Sequence, residues 1–167
     1  MFMYAENYVY CPSVLKTAEI IRNKKSKLLF LKGEESLRGS SSPVAGMWSE
    51  TGGGSFIRTG CHPLSGILWL KQVEAETRNE TITVESVTAD MGNTGDILTE
   101  EEKRHLTSHP IDVEDFANVT LTFSDGTKAV IMASDHVLGG TKNYIEAYAN
   151  DGAMICNITP ANNMQTY

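Results

Sequence analysis

Phe116–Ser134 reads FANVTLTFSDGTKAVIMAS, two β-branched runs joined by Asp125-Gly126. That dipeptide between apolar alternations signals a hairpin, because the twist of paired strands selects turns with positive φ. The spacing predicts strands over 116–124 and 127–134. A second pair follows, over 143–149 and 153–158, turning at Asn150-Asp151-Gly152. Upstream, Ile82 to Asp90 alternates and is rich in β-branched residues, so it joins the sheet. A hydrophilic insert over 90–110 is expected to carry a short helix at 99–106. Before it, KLLFLK at 27–32 predicts a buried strand that runs into a Ser- and Gly-rich loop, 33–43.

The remaining pattern is helical. Residues 2–10 alternate aromatic and polar groups, which suits an extended lead-in. Pro12 fits the first helical position, where its missing N–H costs nothing. Cys11, Val14, Ala18 and Ile21 share one face, and the basic run Arg22 to Lys25 suits the C-terminal end. Within 48–71 a second helix is expected, with Thr51 able to cap its start, Gly52-Gly53-Gly54 turning tightly and the helical pattern following. Ile57, Cys61, Leu64 and Leu68 read as its apolar stripe, and Pro63 divides it into two kinked pieces. Two helices followed by hairpins imply an α+β fold: an open, mostly antiparallel sheet with helices packed on one face.

Composition bounds the function. The 167 residues suffice for one domain, with 41% hydrophobic and 21% charged residues. A net charge of −7 disfavours a nucleic-acid partner, which needs clustered lysine and arginine. The longest apolar runs, such as Ile67–Leu70, are far too short for a membrane span. Cys11, Cys61 and Cys156 are too scattered for a disulfide framework, and the N-terminus lacks a signal-peptide pattern, so a cytoplasmic location is expected.

Arg58 and His62 lie four apart, so a helix projects them from one side, with Ser65 and Trp69 continuing it. A guanidinium offers a fixed fork of donors, and an imidazole moves protons near neutral pH. The bland alternative is a polar helix face meeting solvent. His105 and His109 share the same spacing but lack a third ligand, so no metal is expected. The three glycines do not complete a G-x-G-x-x-G turn, because position 57 is Ile, so close backbone packing is expected there rather than a phosphate cradle. Asp135 and His136 end a strand and are weak candidates to face a pocket.

The run GGGSFIRTGCHPLSGILWLK (52–71) resembles the start of the C-terminal domain of the Gfo/Idh/MocA oxidoreductases. YVYCPSVLKTAEIIRNKKSKLLFLKGEES, VEDFANVTLTFSDGTKAVIMAS and IEAYANDGAMICNI are similar in order to that family's first helix and strand, central hairpin and closing pair. The resemblance implies a dihydrodipicolinate reductase-like C-terminal domain over 1–167, cut at both ends, with the NAD- or NADP-binding Rossmann domain missing and no cofactor on this chain alone. It implies the substrate-binding and oligomerisation half of an enzyme acting on a sugar, polyol or related hydroxyl compound, itself inactive in isolation. A homo-oligomer through the open sheet face is the expected assembly. His62 matches the family's active-site histidine and is expected to be catalytic. Arg58 falls where the family carries Asp, which points to substrate binding and favours a negatively charged substrate. The competing reading is a non-catalytic binding or dimerisation module that retains the fold.

Overall fold

The computed structural model describes residues 6–159 and 163–167. Helix α1 (Pro12–Lys24) opens with Pro12 in its first turn and buries Val14, Ala18 and Ile21 completely. Its end is set by Lys25, whose left-handed backbone (φ 53°) stops the helix. The lead-in is not extended where it is described. Tyr8–Tyr10 form one 3-10 turn, and Tyr8 is buried. Residues 2–5 of the expected lead-in lie outside the described residues.

Strand β1 (Leu28–Ser36) continues through Gly33-Glu34-Glu35, beyond the expected strand end at Lys32. Polar composition misled there. These residues pair on both sides, in parallel with β4 (Lys128–Ser134) and antiparallel with β5 (Lys142–Ala149), so neighbouring strands supply what local propensity does not. With β2 (Val84–Gly92), β3 (Phe116–Phe123), β6 (Gly152–Asn157) and β7 (Asn163–Thr166), the sheet has seven strands in the order β2-β3-β4-β1-β5-β6-β7. Only β1–β4 is parallel. The hairpin at Asp125-Gly126 forms as expected, with Gly126 at φ +88°. Strand β7 was not anticipated.

A one-turn helix α2 (Trp48–Thr51) precedes the long helix α3 (Cys61–Arg78). Thr51 ends α2 rather than capping α3; its hydroxyl donates to the carbonyls of Met47 and Gly53. The break expected at Pro63 lies just upstream of it. Phe56–Gly60 wind as a π-turn, with the Cys61 N–H reaching back five residues to Phe56, and α3 then runs unbroken with Pro63 in its first turn. The expected stripe is also displaced. Ile57 and Leu68 are exposed, whereas Pro63, Gly66, Ile67, Leu70 and Val73 face the sheet.

The core lies between α1, α3 and one sheet face, where Leu31, Val119, Leu121, Ile131, Ile145 and Met154 are buried. The other face carries cross-strand rows such as Thr120, Val130, Lys32, Glu146 and Ile155, with no helix over it among the described residues. Two contacts register α3 on the sheet. A Cβ on Gly33 would meet the Pro63 Cβ at 2.8 Å, so only glycine lets the helix start lie this close to β1. At the far end the buried Lys71 ammonium donates to Glu74, Asp125 and Thr127. Glu74 in turn accepts the Leu28 N–H.

Candidate functional site

His62 stands in the first turn of α3, just past the π-turn, with its side chain 30% exposed. Its Nδ1 lies 2.9 Å from both carboxylate oxygens of Glu6. A carboxylate only accepts hydrogen bonds, so Nδ1 carries the proton in this pair. In the neutral ring that leaves Nε2 as the basic nitrogen, without a hydrogen-bond partner among the described residues. Glu6 also accepts the Tyr8 N–H at 3.0 Å.

The Tyr8 ring stacks on the imidazole, with centroids 5.3 Å apart and planes inclined by 17°. Its phenol oxygen meets two acceptor oxygens, Glu35 Oε2 from β1 and Asn143 Oδ1 from β5. Burial, reinforced by the Glu35 carboxyl, pushes the Tyr8 phenol far above its ordinary range. Burial likewise raises the Glu35 carboxyl, with Glu6 adding to the effect against the opposing pull of Tyr8 and His62. The site therefore gathers two carboxyl groups, a phenol and an amide around one imidazole.

Arg58 lies on the π-turn, and its guanidinium forms an ion pair with Asp135, which is buried immediately after β4. The Ser108 hydroxyl donates to the same carboxylate oxygen at 2.7 Å. Arg58 Nε and Asp135 Oδ1 are buried without hydrogen-bond partners among the described residues, and they are the two atoms that a side-on bidentate pair would join. The Arg58 charge that favoured an anionic substrate is thus met by a carboxylate of the same chain. Arg58 and His62 are not brought onto one another. Each is held by its own carboxylate, from β4 and from the N-terminal segment respectively.

The other candidates resolve simply. Gly54 and Phe56 donate their N–H groups to the Glu114 side chain at 2.8 and 2.9 Å, so an internal carboxylate occupies the helix-start amides. A Cβ on Gly54 would meet the Glu114 carbonyl oxygen at 1.8 Å, which is the close packing expected of the glycines. His105 closes a 3-10 turn, Glu102–His105, and His109 lies in the following loop, so their spacing is not helical. His136 contacts the Thr94 hydroxyl at 2.7 Å and faces buried Asp115; with His109 and Lys103 it lines a cavity of about 200 Å³. Glu6, Cys61 and His62 bring one ligand atom each within 4.8 Å. Burial raises the Cys61 thiol, and His62 Nδ1 is committed to Glu6.

Sequence reasoning missed Glu6, Tyr8, Glu35, Asn143 and Glu114. None stands in a spaced motif; each reaches its place through chain folding. No helix among the described residues is long and apolar enough to cross a membrane.

Comparison with known proteins gives this geometry a setting. No curated protein matches the chain in sequence. Several solved structures share its fold. An aldose-aldose oxidoreductase from Caulobacter crescentus, in complex with glycerol, matches over 99% of this chain and 44% of its own, with 16% identity and a TM-score of 0.74. A levoglucosan dehydrogenase in its apo form matches over 97% of this chain and 43% of its own, with 18% identity and a TM-score of 0.75. An NAD binding oxidoreductase from Klebsiella pneumoniae matches over 98% and 42%, with 18% identity and a TM-score of 0.72. The chain thus spans less than half the length of each of these proteins. The family model described as GFO/IDH/MocA C-terminal domain matches residues 34–155, and the chain belongs to that family.

Proposed function

We propose that this chain is the substrate-binding half of an NAD(P)-dependent oxidoreductase acting on a hydroxyl group of a sugar or polyol. The observation that carries the reading is the His62–Glu6 pair, which presents a basic Nε2 at the start of α3. Alcohol oxidation requires a base for the hydroxyl proton, and a nicotinamide cofactor, held by a neighbouring domain, supplies the hydride acceptor. His62 Nε2 takes that proton, and Glu6 holds the imidazole in the required tautomer and stabilises the imidazolium formed. Arg58, balanced by Asp135, serves as a substrate-facing donor through its remaining N–H groups. Sugar- and aldose-acting proteins among the fold relatives favour a hydroxyl-rich substrate over an anionic one.

The test uses the full-length enzyme. His62→Ala lowers kcat by about 10²–10⁴-fold, the usual worth of general base catalysis, while NAD(P) affinity is retained. Unchanged turnover would remove His62 from the chemistry. A homo-oligomer through the open sheet face is the assembly we propose, since rows such as Thr120, Val130, Lys32, Glu146 and Ile155 carry no helix among the described residues.

A further inference from the structure

We propose that Glu35 holds a proton in the working site and acts as a positioning residue: its carboxyl donates to the Tyr8 phenol, which donates to Asn143, locking the ring on which His62 rests. This deepens the oxidoreductase reading of His62 and rests on it for its catalytic part only.

The argument begins with counting protons. Three oxygens, Glu35 Oε2, Tyr8 Oη and Asn143 Oδ1, lie in a line of two hydrogen bonds. A phenol has one proton to give, and an ionised carboxylate and an amide oxygen have none. Two bonds along three oxygens therefore need a second proton, and Glu35 is the group able to carry it. On its far side the Asn143 amide meets the Thr159 hydroxyl at 3.3 Å, a group that can accept from Nδ2 or donate to a turned Oδ1. Turning the amide would let Nδ2 donate to the phenol and leave Glu35 ionised. That arrangement sets two carboxylates, Glu35 and Glu6, around the single imidazole of His62.

The surroundings disfavour a second charge. In the sheet Glu35 is registered between Ala133 and Asn143, neither of which is charged. The titratable groups facing it are Tyr8, Glu6 and His62, with the neutral Cys61 thiol beside them. No lysine or arginine pairs with it among the described residues. A protonated Glu35 leaves Glu6 as the single carboxylate beside the His62 imidazole, and burial disfavours adding a second anion there. Burial raises the Glu35 carboxyl in the same direction.

The proton has a consequence for pH. A carboxyl raised by folding binds its proton more tightly in the native state. Its contribution to stability is complete below the ordinary glutamate range and is lost as pH rises through the raised folded value. Above that value the phenol keeps one partner only, and the Tyr8 platform under His62 loosens. Glutamine at this position mimics the acid at every pH, because its amide also donates.

Infrared difference spectroscopy on this chain tests the proton directly. At neutral pH the wild type shows the carbonyl stretch of a neutral carboxylic acid, which Glu35→Gln abolishes and Tyr8→Phe shifts in frequency. Absence of that band overturns the proposal in favour of the turned amide. In the full-length enzyme, Glu35→Gln retains wild-type kcat and loses the alkaline decline of the wild-type pH profile. Glu35→Ala lowers kcat by roughly ten- to a hundredfold through misplacement of the base. A Glu35→Gln profile with the wild-type decline intact overturns the positioning role. If instead His62→Ala leaves turnover unchanged, the oxidoreductase assignment of His62 fails while the infrared result stands on its own.

Discussion

Asp135 shows how a single residue reverses an inference made from a neighbour. Arg58 taken alone suggests a cation waiting for an anionic ligand. The folded chain brings Asp135 against it from the end of β4, and the side chain of that aspartate is only 1% exposed. Removing one partner of such a pair strands the other charge, at a cost of about 3–5 kcal/mol. Asp135→Ala should therefore lower stability by that amount in urea unfolding. The double replacement Arg58→Met, Asp135→Leu should recover most of the loss, because neither charge then remains to be desolvated. Equal losses in the single and double variants would mean that packing, not charge, dominates at this position. The His62–Glu6 pair differs in kind: it leaves Nε2 unpartnered among the described residues, which is why it and not Arg58 carries the proposed chemistry.

Helix α3 acts as a lever laid across β1. At its start, the contact of Pro63 with Gly33 sets how near His62 comes to Glu35 on the same strand. At its other end, Lys71, Glu74, Asp125 and Thr127 tie it to the hairpin turn. Burial opposes ionisation of Asp125, but the hydrogen bonds from Lys71 and Thr127 and the Lys71 charge together prevail and hold its carboxyl below the ordinary range. Gly33→Ala forces a Cβ into a space occupied by Pro63. Overpacking of this kind costs about 1–3 kcal/mol. It should also shift the His62 imidazole resonances in an NMR spectrum, since the helix start moves with Pro63. A stable variant with unmoved His62 resonances would show that the two ends of α3 are independent. The faces of α3 divide at this scale too: Pro63, Gly66, Ile67 and Leu70 are buried and Leu64 packs against the core, whereas Leu68 is exposed.

For the whole molecule the decisive feature is a sheet covered on one side. The five inner strands, β3, β4, β1, β5 and β6, bury their helix-side residues around α1 and α3, while the opposite rows mix threonine, tyrosine, lysine and glutamate with Val130, Met132 and Ile155. A broad face of that mixed character suits pairing with a second copy by a two-fold axis. Sedimentation should report concentration-dependent association of the chain, and Val130→Lys, in the middle of the face, should weaken it without altering the circular dichroism spectrum. A strictly monomeric wild type at high concentration would refute the assembly. The edge strand β2 is exposed along its whole length, so it is a second surface on which such association must be distinguished by the Val130 variant.

The sequence by itself determined the elements whose signals are local. Alternating β-branched runs around Asp125-Gly126, Pro12 at a helix start and the apolar face of α1 all read correctly, because period and turn chemistry act over a few residues. The mixed α+β class followed from their order, and the likeness of 52–71 to a known family drew attention to His62. Tertiary structure alone decided the rest. Glu34 and Glu35 are strand residues because β4 and β5 flank them, not because their own propensities favour it. Glu6 and Tyr8 meet His62 across more than fifty residues of chain, and Asn143 reaches Tyr8 across 135. The partners of a titratable side chain are set by long-range packing, so spacing in the sequence singled out the imidazole but not the groups that hold its protons.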